Sequence, residues 1–325
     1  MKKLALKVLR SCGGFSLSRK LTARSARILM YHDFSAFDSS PSRVIGKSAL
    51  HQQFSYLKRH FHVVPLSELT EKLRTGGRFH TATVAITVDD GRRNFYDVAF
   101  PVLQELEIPA TLFAVSSFVN GEDWIWTDKV LWLSCQPSAP QELAEPLLDG
   151  FFARLNVLRP EERDQSIANI AARMGTKVPP QPPEEYAACS WTEIRTMADS
   201  GLVEIGAHTV SHPILTTLTH EESWREIWFS KTQLELGLGR SVKLFCFPNG
   251  KVPDYGSIHL AQVREAGYEG AVTACSGMVT TSSNPYQLPR MGISGFTDFL
   301  SFSKSVSGVE YYQESFQKVG RARSD

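Results

Sequence analysis

The feature that most restricts the fold is a recurrence: short, almost unbroken apolar runs alternate with stretches of helical spacing. The candidate strands are Arg27–Tyr31, Thr83–Val88, Ala110–Val115, Val203–Ala207, Val242–Phe247, Gly270–Ala274 and Gln287–Met291. Val84-Ala85-Ile86-Thr87-Val88 has no polar alternation, so such a strand has to be covered on both faces, as in parallel sheets. Between the runs, Leu50, Phe54 and Leu57, and later Phe95, Val98, Val102 and Leu106, fall at helical intervals. Thr219-His220-Glu221-Glu222 has the hydroxyl–carboxylate pairing that opens a helix, and Gly267 after Val263 and Ala266 stops another. Such alternation implies parallel βαβ units in a barrel or doubly wound sheet. A chain of 325 residues suits one large α/β barrel as readily as two average domains.

Residues 116–190 break the rhythm. They hold Trp124, Trp126 and Trp132, a helical region near 141–174, and then Val178-Pro179-Pro180-Gln181-Pro182-Pro183. We read them as a helical insertion between two barrel strands, closed by a stiff polyproline-like connector. The tryptophans suit buried packing better than a carbohydrate-stacking wall.

Net charge is only +1, which argues against a dedicated nucleic-acid binder. Residues 1–27 nevertheless carry eight bases and no acid, leaving 27 bases against 34 acids in the remainder. Lys7 and Arg10 break the apolar stretch that a secretory signal needs, so none is expected. The basic start reads either as a frayed tail or as a weak attraction to an anionic inner leaflet, worth roughly 1 kcal/mol per well-placed base. Five widely spaced cysteines without a zinc-ribbon pattern fit reduced thiols in the cytoplasm.

Two motifs can do chemistry. Thr87-Val88-Asp89-Asp90-Gly91 ends an apolar strand, where parallel barrels place their active sites. Adjacent carboxylates need a cation or a shared proton to coexist. The same pair could equally cap a helix and open a turn at Gly91. Gly206-Ala207-His208-Thr209-Val210-Ser211-His212-Pro213 also follows an apolar strand, and imidazoles four residues apart can converge on one metal. A carboxylate with two histidines leaves positions open for water and substrate, the layout of a catalytic site.

These residues resemble the polysaccharide deacetylases of carbohydrate esterase family 4. The first motif is similar to Thr-Phe-Asp-Asp-Gly with Val88 in place of Phe, and the second, His-(Ser/Thr)-x-x-His-Pro, is matched throughout by His208–Pro213. Phe245-Cys246-Phe247-Pro248-Asn249-Gly250 resembles the third. The likeness covers roughly 27–295 and implies an irregular (β/α)7-type barrel that removes N-acetyl groups from amino sugars with a divalent metal, zinc being expected. It implies Asp89 as general base, Asp90, His208 and His212 as metal ligands, and the Asn249 backbone N–H as oxyanion donor. The chain lacks the late Leu-x-His motif of many members, whereas Leu29-Met30-Tyr31-His32-Asp33 resembles the Tyr-His opening of a rearranged branch. That makes His32 the candidate proton donor to the leaving amine. The third-motif Arg is also missing; Arg290 either replaces it beside the catalytic Asp or serves as a surface ion-pair partner.

The expected organisation is a basic segment 1–26, a barrel 27–310 with its insertion at 116–190, and a tail 311–325. The expected substrate is an N-acetylated sugar of a surface glycan or glycolipid precursor, met in the cytoplasm or at the inner membrane face. The rivals are hydrolysis of a non-sugar amide or ring amidine on the same barrel, and an inactive carbohydrate-binding protein.

Overall fold

The structure, a computed structural model, describes residues 2–38, 43–144 and 146–309. The expected tail 311–325 lies outside the described residues. In chain order the strands are β1 (Ala26–Tyr31), β2 (Phe34–Ser35), β3 (Ile45–Gly46), β4 (His62–Val63), β5 (Thr83–Val88), β6 (Ala110–Ala114), β7 (Val203–Ala207), β8 (Leu244–Cys246), β9 (Gly270–Val272) and β10 (Met291–Gly292). Seven of them form a curled parallel sheet in the order β10-β1-β5-β6-β7-β8-β9, with β4 beside the start of β5. The small β2–β3 ladder stands apart. This is the irregular (β/α)7-type barrel that the sequence implies.

Every residue of β5 and β6 is buried, as their unbroken apolar runs require. Alternate side chains go to different cores. Ile28, Ala85, Phe113, Leu244, Cys246 and Val272 fill the barrel interior, while Leu29, Ile86, Leu112, Ile205, Phe245 and Ala271 pack under the helices. Each large aliphatic or aromatic side chain buried in this way contributes roughly 1.5–3 kcal/mol. Gly206 makes room for the Phe113 ring, since an added Cβ would stand 2.5 Å from Phe113 Cδ1.

Register decides where the chemistry emerges. Tyr31 pairs with Val88, Val88 with Leu112, and Ala114 with Ala207. The residues that follow, among them His32, Asp89 and His208, therefore leave the same end of the sheet, His208 two residues further along than Asp89.

The strand expected at Gln287–Met291 is divided. Leu288 exchanges bonds with β9 (its N–H to Ala271 O and its O from Thr273 N–H, both 2.9 Å), whereas Met291 pairs with Leu29 of β1. Pro289 has no N–H to continue a ladder, so the chain changes partner there, bringing the two sheet edges together. The strands at 242–247 and 270–274 are likewise shorter than the apolar runs.

The insertion builds its own core from helices Trp126–Ser134, Leu148–Leu155 and Pro160–Arg173. Trp124 is buried against Trp132 and Tyr186, and its Nε1–H donates to Pro179 O at 3.1 Å in the connector. Residues 2–21 are not frayed but form two helices, Lys2–Ser11 and Gly14–Leu21, the second seated through buried Phe15. Arg27, counted with the basic start, is wholly buried on β1 and donates to Val306 O at 3.0 Å. No described helix is long and apolar enough to cross a membrane.

Candidate active site

The turn after β5 places two carboxylates in different surroundings. Asp90 and Gly91 take φ of 78° and 88°, a conformation that Asp tolerates better than most residues and Gly adopts freely. An added Cβ at Gly91 would also press on Ala114 Cα at 3.3 Å. Asp89, by the alternation of β5, follows Thr87 into the barrel mouth, while the turn sends Asp90 towards β7.

Asp89 meets an arginine. Arg290 Nη1 donates to Asp89 Oδ1 and Nη2 to Asp89 Oδ2, both at 2.7 Å, with the side chains 1% and 3% exposed. The fork is fixed by Nε donating to Thr273 O at 2.8 Å and Nη1 to Thr87 Oγ1 at 3.0 Å. Burial alone would raise the Asp89 carboxyl, but the Arg290 charge and hydrogen bonds overcome it and hold Asp89 well below the usual carboxylate range. Of the two readings of Arg290, the structure has the buried one, not the surface ion pair. The Pro289 break that divides the expected strand is what turns Arg290 into the mouth.

Asp90 meets the histidines. Its Oδ1 lies 3.8 Å from His208 Nε2 and 3.7 Å from His212 Nε2. His208 Nδ1 is 2.8 Å from Cys246 O, an acceptor only, so it carries the proton and Nε2 presents a lone pair. Burial lowers both imidazoles, His212 to about 3, so both are neutral near pH 7. His212 Nδ1 is buried without a hydrogen-bond partner among the described groups. Lone pairs converging at these distances repel one another unless a cation lies between them. Tetrahedral ligation at roughly 2.0–2.1 Å separates donors by about 3.4 Å, close to what is observed. Asp90, His208 and His212 thus fit a divalent ion of the zinc type. A second trio, Asp89, His208 and Cys246, also lies close together. It fits less well, because Arg290 already holds Asp89 and burial pushes the Cys246 thiol up into its protonated form.

The loop bearing the histidines is strained and anchored. Thr209 and His212 have φ of 66° and 59°. Glu226, on the helix His220–Leu238, accepts from Val210 N–H (2.8 Å), Ser211 N–H (2.9 Å) and Ser211 Oγ (2.7 Å). Trp126 Nε1–H donates to His212 O at 3.0 Å.

His32 follows β1 into the same cleft, half-exposed, with Nε2 3.8 Å from Asp89 Oδ2. Asn249 sits there too, in a left-handed turn (φ 54°) pinned by its Nδ2–H donating to Asp254 Oδ2 at 2.8 Å. All seven residues singled out from the sequence therefore line one cavity of about 620 Å³. The insertion supplies a wall of it through Trp126, Leu131, Phe152 and Asn156.

Sequence reasoning missed Arg92. It is buried, 3.1 Å from Asp90 Oδ2, and also donates to Asp33 and Asp128. Burial pushes the Asp128 carboxyl up to about 8; the Arg92 charge pulls it down, while Asp33 and Asp90 add to the rise. The available signal was a base directly after Asp-Asp-Gly, and two of its partners, Asp33 and Asp128, lie far along the chain. Glu226 gave no signal at all beyond an acid on a helix.

A parallel barrel whose mouth carries an Asp–His–His donor set able to hold a metal ion, with a second carboxylate held apart by an arginine, has the layout of a hydrolase site. The polysaccharide deacetylase profile matches residues 76–271, more than half of the chain, and the chain belongs to that family. The poly-beta-1,6-N-acetyl-D-glucosamine N-deacetylase of Escherichia coli K12 is 24% identical over 166 residues, 51% of this chain but only 17% of that relative's length. Among solved structures, the Streptococcus pyogenes deacetylase PplD, in complex with acetate, matches with a TM-score of 0.61 at 17% identity, over 87% of this chain and 98% of that one. IcaB from Ammonifex degensii matches with a TM-score of 0.59 at 18% identity, over 86% and 97%. At such identities the structural likeness carries the fold.

Proposed function

We propose that this chain is a metal-dependent hydrolase that removes N-acetyl groups from an amino sugar of a surface polysaccharide or glycolipid precursor, with zinc as the expected ion. The observation that carries the reading is the separation of the two carboxylates: Asp90 faces the two imidazoles, while Asp89 is clamped by Arg290 beside them. Family membership and the name of the Escherichia coli relative support an N-acetylated glycan as substrate.

A divalent ion held by Asp90, His208 and His212 would supply a Lewis acid for the amide carbonyl and lower the pKa of a water. Asp89, ionised and held by Arg290, is placed to take a proton from a water attacking the carbonyl carbon. The Asn249 backbone N–H, in a turn fixed by Asp254, donates to the oxygen that gains negative charge. His32, open to the cleft, gives a proton to the departing nitrogen, without which an amine anion would have to leave. Phe152, partly exposed on the cleft wall, offers an apolar face to a sugar ring.

The deciding experiment measures acetate released from oligomeric β-1,6-linked N-acetylglucosamine and from lipid-linked N-acetyl sugars, before and after chelation and zinc restoration. Metal-dependent acetate release is expected. Cleavage of a non-sugar amide, or ammonia release from a ring amidine, without acetate release would favour the rival hydrolase. Glycan binding without any hydrolysis would favour an inactive carbohydrate-binding protein.

A further inference from the structure

The two N-terminal helices do not line the cleft, yet they carry five exposed aliphatic side chains, Leu4, Val8, Leu9, Leu17 and Leu21. In Lys2–Ser11, Leu4, Val8 and Leu9 are 70%, 53% and 40% exposed, and with Ala5 and Cys12 they line one shallow apolar hollow. Their spacing puts them along one side of the helix. Another side is docked: Lys3 Nζ is 3.0 Å from Asp298 Oδ2, and the Arg10 guanidinium stands 4.9 Å from the Phe299 ring centre. In Gly14–Leu21, Phe15 and Ser18 face the protein while Leu17 and Leu21, one turn apart, are exposed.

Charge says what would cover such a face. Lys7, Lys20 and Arg24 are exposed, and among the described residues no acidic side chain pairs with them. A second copy meeting this face symmetrically would bring like charges together, which disfavours self-association. The face has aliphatic residues flanked by bases and lacks the Trp and Tyr anchors that mark protein interfaces. Aliphatic residues flanked by bases are what a helix lying in the headgroup region of an anionic bilayer presents.

We propose that the helices Lys2–Ser11 and Gly14–Leu21 form a docking surface for an anionic lipid bilayer, with Leu4, Val8, Leu9, Leu17 and Leu21 entering the headgroup–acyl boundary and Lys7, Lys20 and Arg24 meeting lipid phosphates. The proposal does not depend on the catalytic reading.

The test is flotation of the full chain with vesicles of mixed phosphatidylcholine and phosphatidylglycerol, against pure phosphatidylcholine. Binding is expected on the mixed vesicles, weak on the neutral ones, and reduced by high salt, since exposed charges are screened. Each base is expected to strengthen binding about fivefold, so Lys7→Ala with Lys20→Ala should weaken it roughly 25-fold. Leu4→Glu with Val8→Glu should abolish it, with an unchanged circular dichroism spectrum. Failure of the wild-type chain to float on anionic vesicles overturns the proposal. So does a concentration-dependent dimer that the Leu4→Glu, Val8→Glu pair disrupts, or binding that appears only after removal of residues 310–325, because the face would then be covered by a copy or by the chain itself. The salt dependence of the wild-type protein decides the matter even if a variant fails to fold.

Discussion

Replacing Arg290 by Met removes the guanidinium that holds Asp89, and the cost follows from the burial of the pair. With the two side chains 1% and 3% exposed, the carboxylate left behind is poorly hydrated and loses two 2.7 Å bonds. Breaking a buried pair from one side costs about 3–5 kcal/mol. Protonation sets a ceiling on the loss, since neutralising a carboxyl of unfolded pKa about 3.9 costs about 4 kcal/mol at pH 7. The two figures converge. Their pH dependence differs between the proteins. In the wild type the folded-state pKa of Asp89 is depressed. Its stabilisation is present above pH 4 and fades as pH falls through that depressed value. In Arg290→Met burial is unopposed and the carboxyl rises, so the variant recovers stability relative to wild type as pH falls from 7 towards 4. Urea unfolding of chelated protein at pH 7 and pH 4.5 reads both effects. A loss under about 1 kcal/mol at pH 7, or a gap that widens on acidification, would refute the reasoning. Combining Arg290→Met with Asp89→Asn should cost less than the two single losses added, because neither charge is then stranded.

Purified protein is expected to carry about one divalent ion per chain, and His208→Ala or Asp90→Ala should lose it in elemental analysis, because the remaining pair holds zinc poorly against buffer. Asp89→Asn should keep metal and fold while turnover falls roughly 10²–10⁴-fold; if it strips the metal, the two carboxylates have exchanged roles. His32→Ala should keep the metal, lower kcat on amides about 10²-fold or more, and spare an activated ester, whose leaving group needs no full proton. Amide turnover near the wild-type rate in that variant would make His32 a packing residue. Gly206→Ala should destabilise by about 1–3 kcal/mol, since its methyl would meet the Phe113 ring; an unchanged thermal midpoint would show that the ring can retreat.

The fold was legible where burial is two-sided, because residues such as Val84–Val88 and Ala110–Ala114 have no polar alternative to offer. It was less legible where partners change. The stretch 287–291 is apolar enough for a strand, but the missing N–H of Pro289 splits it between two neighbours, and this split aims Arg290. The helix Trp126–Ser134 lies outside the helical region read at 141–174, although Trp126, Val130 and Leu133 fall at helical intervals, because the run is too short for that spacing to stand out. Site residues carried by strand ends could be read locally. Arg92 and Glu226 could not: one reaches Asp33 and Asp128, the other grips a loop fifteen or sixteen positions earlier in the chain.

The separate core of the insertion divides labour within the cleft. The floor, with Asp89, Asp90, His208 and His212, is made by barrel strand ends, whereas the wall of Trp126, Leu131, Phe152 and Asn156 belongs to helices that stabilise one another. The wall itself is tied to the floor by Trp126 to His212 O and Asp128 to Arg92, and the two ends of the insertion are pinned by Ser117 N–H to Val210 O at 3.0 Å and Cys189 N–H to Gly91 O at 2.9 Å. On the proposed reading, substitutions in this module are expected to change selectivity more than the reaction itself. Exchanging Leu131, Phe152 or Asn156 for side chains of other shape should move KM between glycans while leaving the pH profile and metal content in place. The polyproline connector at 178–183 gives such an exchange a natural seam.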